Sequence, residues 1–186
     1  MNWLLSYSKY NKSLQGFYDS FDSEFVELQT KFRDILQKED DLNEIVQLVG
    51  KDALAETDKI VLETARLIKD DFLQQNAFTP YDKFCPLYKS VGMMRNIVTF
   101  NRLANDCIER NLLAHRMGKD QAKGGVMKNR INFQVIKQRL GDLIYRLSTQ
   151  KFEDPTQGEK DIMAKYDQLN KELRDAFEEI NLEYNA

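Results

Sequence analysis

Apolar side chains recur at alternating three- and four-residue intervals along nearly the whole chain, a spacing that builds helices and leaves no alternating strand pattern. Trp3, Tyr7, Tyr10, Leu14, Phe17 and Phe21 fall on one helical stripe, which reads as core rather than as an aromatic binding box. A second helix is expected from Ser23, whose hydroxyl can cap the free amides ahead of Phe25, Leu28, Phe32, Ile35 and Leu36. A short third helix with Leu42, Ile45, Val46 and Val49 is expected to stop at Gly50, where glycine relieves a left-handed backbone. The acidic, small-residue stretch from Lys51 to Asp58 then leads into a helix striped by Val61, Ala65, Ile68 and Phe72. Thr57 or Asp58 is placed to cap it.

Beyond the aromatic stretch around Pro80 and Pro86, a long helix is expected from Leu87, with Val91, Met94, Ile97, Val98, Leu103, Cys107, Ile108 and Leu112 on its stripe. Pro86 stands at its entrance, where a missing amide costs nothing. Met93 and Met94 read as core fillers. From Arg110 to Arg130 the character changes: Arg110, Arg116, Lys119, Lys123, Lys128 and Arg130 face a single acid, Asp120, and Gly118, Gly124 and Gly125 interrupt helical spacing. A flexible basic loop is expected over 110–131. Its other reading is electrostatic contact with an acidic surface or nucleic acid, although no aromatic residue is interleaved for base stacking. Helical spacing returns with Phe133, Ile136, Leu140, Leu143, Ile144 and Leu147. It ends with Ile162, Tyr166, Leu169, Leu173, Phe177 and Ile180, which suit packing inside the molecule better than a coiled coil of about three heptads.

With only 3 prolines and 8 glycines, these stripes give an all-α fold, a bundle of about six to seven helices forming one domain over 1–186. The 27 basic residues nearly balance the 30 acidic ones, so no global field favours nucleic acid or an anionic membrane, and no nucleic-acid partner is expected. No apolar run approaches the roughly 20 residues that cross a bilayer, so membrane contact is expected only through a partner complex. Cys85 and Cys107 lack metal-ligand spacing and His115 is the single histidine, so no metal site is expected and both thiols read as free in a reducing cytosol.

Catalysis finds no equipment here. Gly50-Lys51 would belong to a phosphate-binding loop only with glycine at 45 and a hydroxyl at 52, where the chain has Ile45 and Asp52. Asp70-Asp71 and Glu178-Glu179 read as solvated helix surface, and the lone histidine leaves no base beside a serine or cysteine nucleophile. No catalytic residue is assigned. The amides Gln74, Gln75 and Asn76 end a helix ahead of Ala77 and Phe78, and two readings stand. The amides can bond the last free carbonyls with Phe78 capping the core, or the segment can meet a ligand.

The stretch Glu44-Ile-Val-Gln-Leu-Val-Gly-Lys-Asp-Ala-Leu-Ala-Glu-Thr-Asp-Lys-Ile60 and the following Ile68-Lys-Asp-Asp-Phe-Leu-Gln-Gln-Asn-Ala-Phe78 closely resemble the C-terminal part of the catalytic A subunit of vacuolar-type proton-pumping ATPases. Asn2-Trp3-Leu4-Leu5-Ser6-Tyr7-Ser8-Lys9-Tyr10 is similar to the same family where its nucleotide domain passes into its helical domain. The resemblance is strongest over residues 2–100, returns over 132–184, and fails between Arg110 and Arg130, so that by this comparison the basic segment 110–131 looks like an insertion.

The resemblance implies a C-terminal domain of a larger catalytic subunit whose nucleotide-binding domain is absent from these residues. Phe78 is then the adenine contact, helped by Gln75, Asn76 and Ala77, and Asp52, Leu54, Glu56 and Asp58 form an exposed acidic tip against the rotating central stalk. ATP or ADP with Mg belongs to the full subunit, and no cofactor is expected for these residues alone. The implied activity is ATP hydrolysis by the assembled proton translocase and none by this chain. The implied partners are the rest of the catalytic subunit, neighbouring B-type subunits and the central stalk. The implied place is the cytoplasmic face of acidified organelles such as vacuole, endosome and lysosome, or of the plasma membrane. The alternative is a free-standing, non-catalytic helical adaptor that keeps the fold and partner contacts.

Overall fold

The segment from Glu56 to Leu73 carries apolar residues on two faces, so it must be covered from two sides. The computed structural model, which describes Trp3, residues 6–119 and residues 130–185, shows how. α3 (Glu56–Arg66) continues without a break into a π-helical turn, Leu67–Leu73. Ile60 and Leu67 enter one apolar cluster, while Val61, Ala65 and Ile68 enter another. α2 (Phe25–Val49) covers the second face with Leu28, Phe32, Ile35, Leu36 and Leu42.

The partner of α3 in both clusters is α5 (Leu87–Lys119). Its first half supplies Val91, Met94, Ile97 and Val98 to the α2 side, and its second half supplies Phe100, Ala104, Cys107 and Ile108 to the other. α8 (Glu159–Asn185) lies along α5 and buries Ile162, Tyr166, Leu169, Leu173, Phe177 and Ile180, the whole stripe that the spacing predicts. Each such side chain contributes about 1.5–3 kcal/mol on burial. α6 (Phe133–Arg139) and α7 (Gly141–Thr149) close the first cluster, the one holding Ile60 and Leu67, through Ile136, Ile144 and Leu147. With α1 (Asn11–Phe21) and the one-turn α4 (Pro80–Lys83) there are eight α-helices and no strand among the described residues, an all-α bundle.

Four details depart from the spacing. The stripe expected to be core at the N-terminus is not core: no residue of α1 is buried, and Tyr7 is 78% exposed. A stripe states that one face is apolar, not what covers it; α2 turns its own apolar face to α3 and α5, and the Tyr18 ring of α1 meets Phe25 of α2 at 4.6 Å. Secondly, α2 runs unbroken to Val49, so the expected short third helix is its last turns. Glu24, not Ser23, is the N-cap of α2, and the Asp22 carboxylate accepts from the Glu24 amide at 2.8 Å just ahead of the helix. Arg95 of α5 pins this corner through Asp22 and Glu24 at 3.0 and 2.8 Å. Thirdly, the single helix expected over 133–147 is two, bent at Leu140. Fourthly, α5 continues to Lys119, so the basic stretch is helical over residues 110–119; residues 120–129 lie outside the described residues.

Gly50 ends α2 as expected, at φ +82° and ψ 162°, a region closed to side-chain-bearing residues. Gly92 has a different reason. A Cβ there would come within 2.4 Å of the Tyr166 ring, and that ring is buried with its hydroxyl donating to the Gln150 carbonyl at 2.9 Å. Gly92→Ala is expected to destabilise the chain by about 1–3 kcal/mol in thermal or denaturant unfolding, because overpacking outweighs the gain in helix propensity. An unchanged or raised Tm would show that α5 and α8 are not in close contact here.

Candidate functional site

The two ends of the 56–73 segment hold the two groups of residues that the resemblance singles out. At its far end, Gln74, Gln75, Asn76, Ala77 and Phe78 are all exposed, and Phe78 is 96% exposed. This rules out Phe78 as a cap on the core. The loop is nonetheless ordered by its own bonds. Asn76 Oδ1 accepts from the Phe78 amide at 3.0 Å, and its carbonyl accepts from the Thr79 amide and hydroxyl at 3.1 and 2.8 Å. The Asn76 amide donates to Asp82 at 3.0 Å. Pro80 opens α4 at its first position, where no amide is needed. The result is a tight turn that projects a phenyl ring into solvent.

Two carbonyls where the π turn ends are met by a lysine. Lys151 Nζ donates to Asp70 O and Gln74 O, both at 3.3 Å. Lys89 is 1% exposed, and its ammonium donates to three carbonyls: Tyr81 O at 2.8 Å, Lys151 O at 2.6 Å and Glu153 O at 2.8 Å. Burial lowers the Lys89 pKa from its ordinary 10.5, while Cys85, Asp82, Glu153 and Asp154 work in the opposite direction. Three donors meet three acceptors. The sequence alone gives no sign of Lys89, since lysine in a charged chain reads as surface.

At the near end the outcome is mixed. Asp52 is exposed, on a single 3-10 turn (Lys51–Ala53). Leu54 does not project from a tip: it is 8% exposed and packs in the α2–α3–α5 cluster where the chain turns between two helices. Glu56 and Asp58 lie in the first turn of α3, where carboxylates suit the helix dipole, and Ala55, rather than Thr57 or Asp58, is the N-cap. Glu56 reaches across to α6, accepting from the Phe133 amide at 2.7 Å, and pairs with Lys59 at 2.8 Å. Asp58 faces Lys38 of α2 at 3.6 Å. Beside the turn lies a cleft of about 620 Å³ lined by Lys51, Asp52, Glu56, Lys59, Glu63 and Arg66. Two ion pairs form within it, Lys59 with Glu56 and Arg66 with Glu63. Of the four residues assigned to the acidic tip, only Asp52 is fully exposed.

No group of three or more His, Cys, Asp or Glu side chains able to hold a metal occurs among the described residues. Cys85 and Cys107 are free, and burial lifts the Cys107 thiol to about 11. No described helix is long and apolar enough to cross a membrane.

Residues 14–116 match the family described as the C-terminal domain of V and A type ATP synthase. The chain is 58% identical to isoform 1 of the catalytic A subunit of the V-type proton ATPase of Acetabularia acetabulum, over 99% of this chain and 28% of that protein. It is 56% identical to the corresponding catalytic A subunit of Zea mays, over 100% of this chain and 31% of that protein. With isoform 2 of the catalytic A subunit of Drosophila melanogaster the identity is 49%, over 95% of this chain and 27% of that protein. The chain thus spans less than a third of the length of these relatives, and the alignments extend across the basic segment.

Two outcomes separate a packed turn from a free one. Leu54→Ala is expected to cost about 2–5 kcal/mol in denaturant unfolding, as for a buried leucine, whereas Asp52→Ala stays within about 0.5 kcal/mol. Equal small effects would return Leu54 to the surface. Glu56 gives a pH signature. Burial favours its neutral form, but the Lys59 bond, the Phe133 amide and the charges of Lys59 and Arg130 outweigh that and hold the carboxyl below its ordinary 4.5. A lowered folded value stabilises above the unfolded value and fades as pH falls through the folded one. Glu56→Gln is therefore expected to lower Tm at neutral pH, with the gap to the parent chain closing below 4.5. A gap that persists to about pH 3 would show that the carboxylate charge is not what α6 depends on.

Proposed function

This chain belongs to the family of C-terminal domains of V and A type ATP synthases, and from that premise we propose that it works as the C-terminal helical part of the catalytic A subunit of a rotary proton-transporting ATPase. In that setting it completes the adenine side of the ATP site and passes the effect of hydrolysis to the central stalk. The observation that carries the adenine assignment is Phe78, a fully exposed aromatic ring on a loop ordered by its own hydrogen bonds. An aromatic face held in place gives affinity for a base without much selection among bases. Gln75, Asn76 and Ala77 line the same exposed turn and offer backbone and amide groups to the ring edge.

The phosphates and Mg would be held by residues outside this chain, where ATP hydrolysis takes place. What these residues do is position a base contact and transmit. The 56–73 segment joins the Phe78 loop to the Lys51–Ala53 turn and is buried on two faces from Ile60 to Ile68. Lys51, Asp52 and Ala53 are the exposed part of that turn and form the surface offered to the stalk, with Glu56 and Asp58 behind them bracing α6 and α2. Charged rim contacts suit a surface that must engage and release, since each exposed pair contributes only about 0–1 kcal/mol. Neighbouring B-type subunits and the remaining domains of the catalytic chain complete the setting, a peripheral complex on the cytoplasmic face of an acidified organelle or the plasma membrane. The exposed aromatic face of α1 with Tyr7 and Tyr10 is apolar surface suited to packing on other parts of the longer protein.

In the full-length protein, Phe78→Ala is expected to weaken ATP binding by about 1–3 kcal/mol, the range for losing one base–aromatic stack. In the present chain it should leave Tm nearly unchanged, because the ring is 96% exposed. Unchanged ATP affinity in the assembled enzyme would remove the adenine role.

A further inference from the structure

Both ends of the Phe78 loop are tied to the same short strap between α7 and α8. Gln74 O, where the loop leaves the π turn, accepts from Lys151 of the strap. Tyr81 O, where it enters α4, accepts from Lys89, which also grips the strap at Lys151 O and Glu153 O. The Tyr81 and Phe152 rings meet edge to face at 5.0 Å over this junction. The strap is in turn fixed to the core: Tyr166 donates to Gln150 O at 2.9 Å, and Asn96 Nδ2 donates to Gln150 Oε1 at 3.2 Å.

Lys89 sits in the first turn of α5, where the helix dipole disfavours a cation, and in a place where burial does too. Among the described residues no carboxylate oxygen bonds it; its three bonds go to main-chain oxygens of two segments that α5 brings together. A methionine or leucine would fill the space at lower electrostatic cost. The three-carbonyl grip fixes backbone position, which is what a solvent-exposed stacking ring requires and cannot supply for itself.

We propose that Lys89 is a positioning residue for nucleotide binding, holding the Phe78 loop at the angle and height of the adenine by clamping Tyr81 to the Lys151–Glu153 strap. The inference rests on the adenine reading of Phe78. Its test uses the full-length protein in the assembled ATPase, with ATP as substrate and inorganic tripolyphosphate as a competitor that has no base. Lys89→Met is expected to raise KM for ATP roughly tenfold, the scale of one lost stack, with kcat within about twofold and the inhibition constant of tripolyphosphate unchanged. Added to Phe78→Ala, it should raise KM little further, since it acts through that ring.

If Phe78→Ala raises KM and Lys89→Met does not, or Lys89→Met weakens ATP and tripolyphosphate alike, the positioning role is overturned and the adenine reading stands. If Phe78→Ala itself leaves KM unchanged, the adenine reading fails and takes this inference with it. Should Lys89→Met fail to assemble, Lys151→Met releases the other end of the loop and carries the same test: a rise in KM for ATP alone supports the clamp, and its absence overturns it.

Discussion

Burial of the 56–73 segment on two faces is the constraint on which the rest of the structure depends. Ile60 and Leu67 look into the cluster built by α5, α6, α7 and α8, and Val61, Ala65 and Ile68 look into the one built by α2 and α5. A helix with one apolar stripe can slide or lift; one covered on two sides can do neither without opening both clusters. Thr64, wholly buried between them, satisfies its hydroxyl by donating to Ile60 O at 2.8 Å and accepting from Asn101 at 3.0 Å. Whatever lies at the two ends of this segment is positioned by the entire bundle.

The ends themselves are finished with polar contacts. At the near end Gly50 releases α2, Leu54 anchors the turn in the core, and Glu56 ties α3 to α6. At the far end the helix widens into a π turn, whose Gln74 amide bonds Lys69 O at 3.0 Å, and Lys151 takes the free carbonyls. Rare π geometry is often retained beside functional sites. Here it delivers the chain into the Phe78 loop. The apolar core therefore sets where the two sites are, and the polar contacts of Glu56, Lys89 and Lys151 set how firmly each is held.

How much of this is legible in the sequence follows from what periodicity can report. The stripe of α8 is readable because it buries one face along α5, and that of α5 because it is covered throughout, by α2 and α3 over its first half and by α6, α7 and α8 over its second. The same spacing over Tyr7, Tyr10, Leu14, Phe17 and Phe21 misleads, because an apolar face exposed in this chain and one buried in it have the same period. The resemblance sets Leu54 on an exposed tip, yet where the chain turns between α2 and α3 the leucine packs into the core. Lys89 and the strap are invisible, since three carbonyl contacts come from backbone brought together by the fold and leave no trace in residue type. Phe78 stands out through resemblance; its exposure is a fact of the structure alone.

The central claim is that residues 56–73 form one rigid link between the Lys51–Ala53 turn and the Phe78 loop. Native-state hydrogen exchange of this chain, followed amide by amide with increasing denaturant, tests it most directly. The account predicts that the amides from Ile60 to Leu73, the π turn included, exchange only through the opening that also releases the buried part of α5 around Ile97 and Phe100. Exchange of residues 67–73 through a separate, low-energy opening, with α5 still protected, would contradict it.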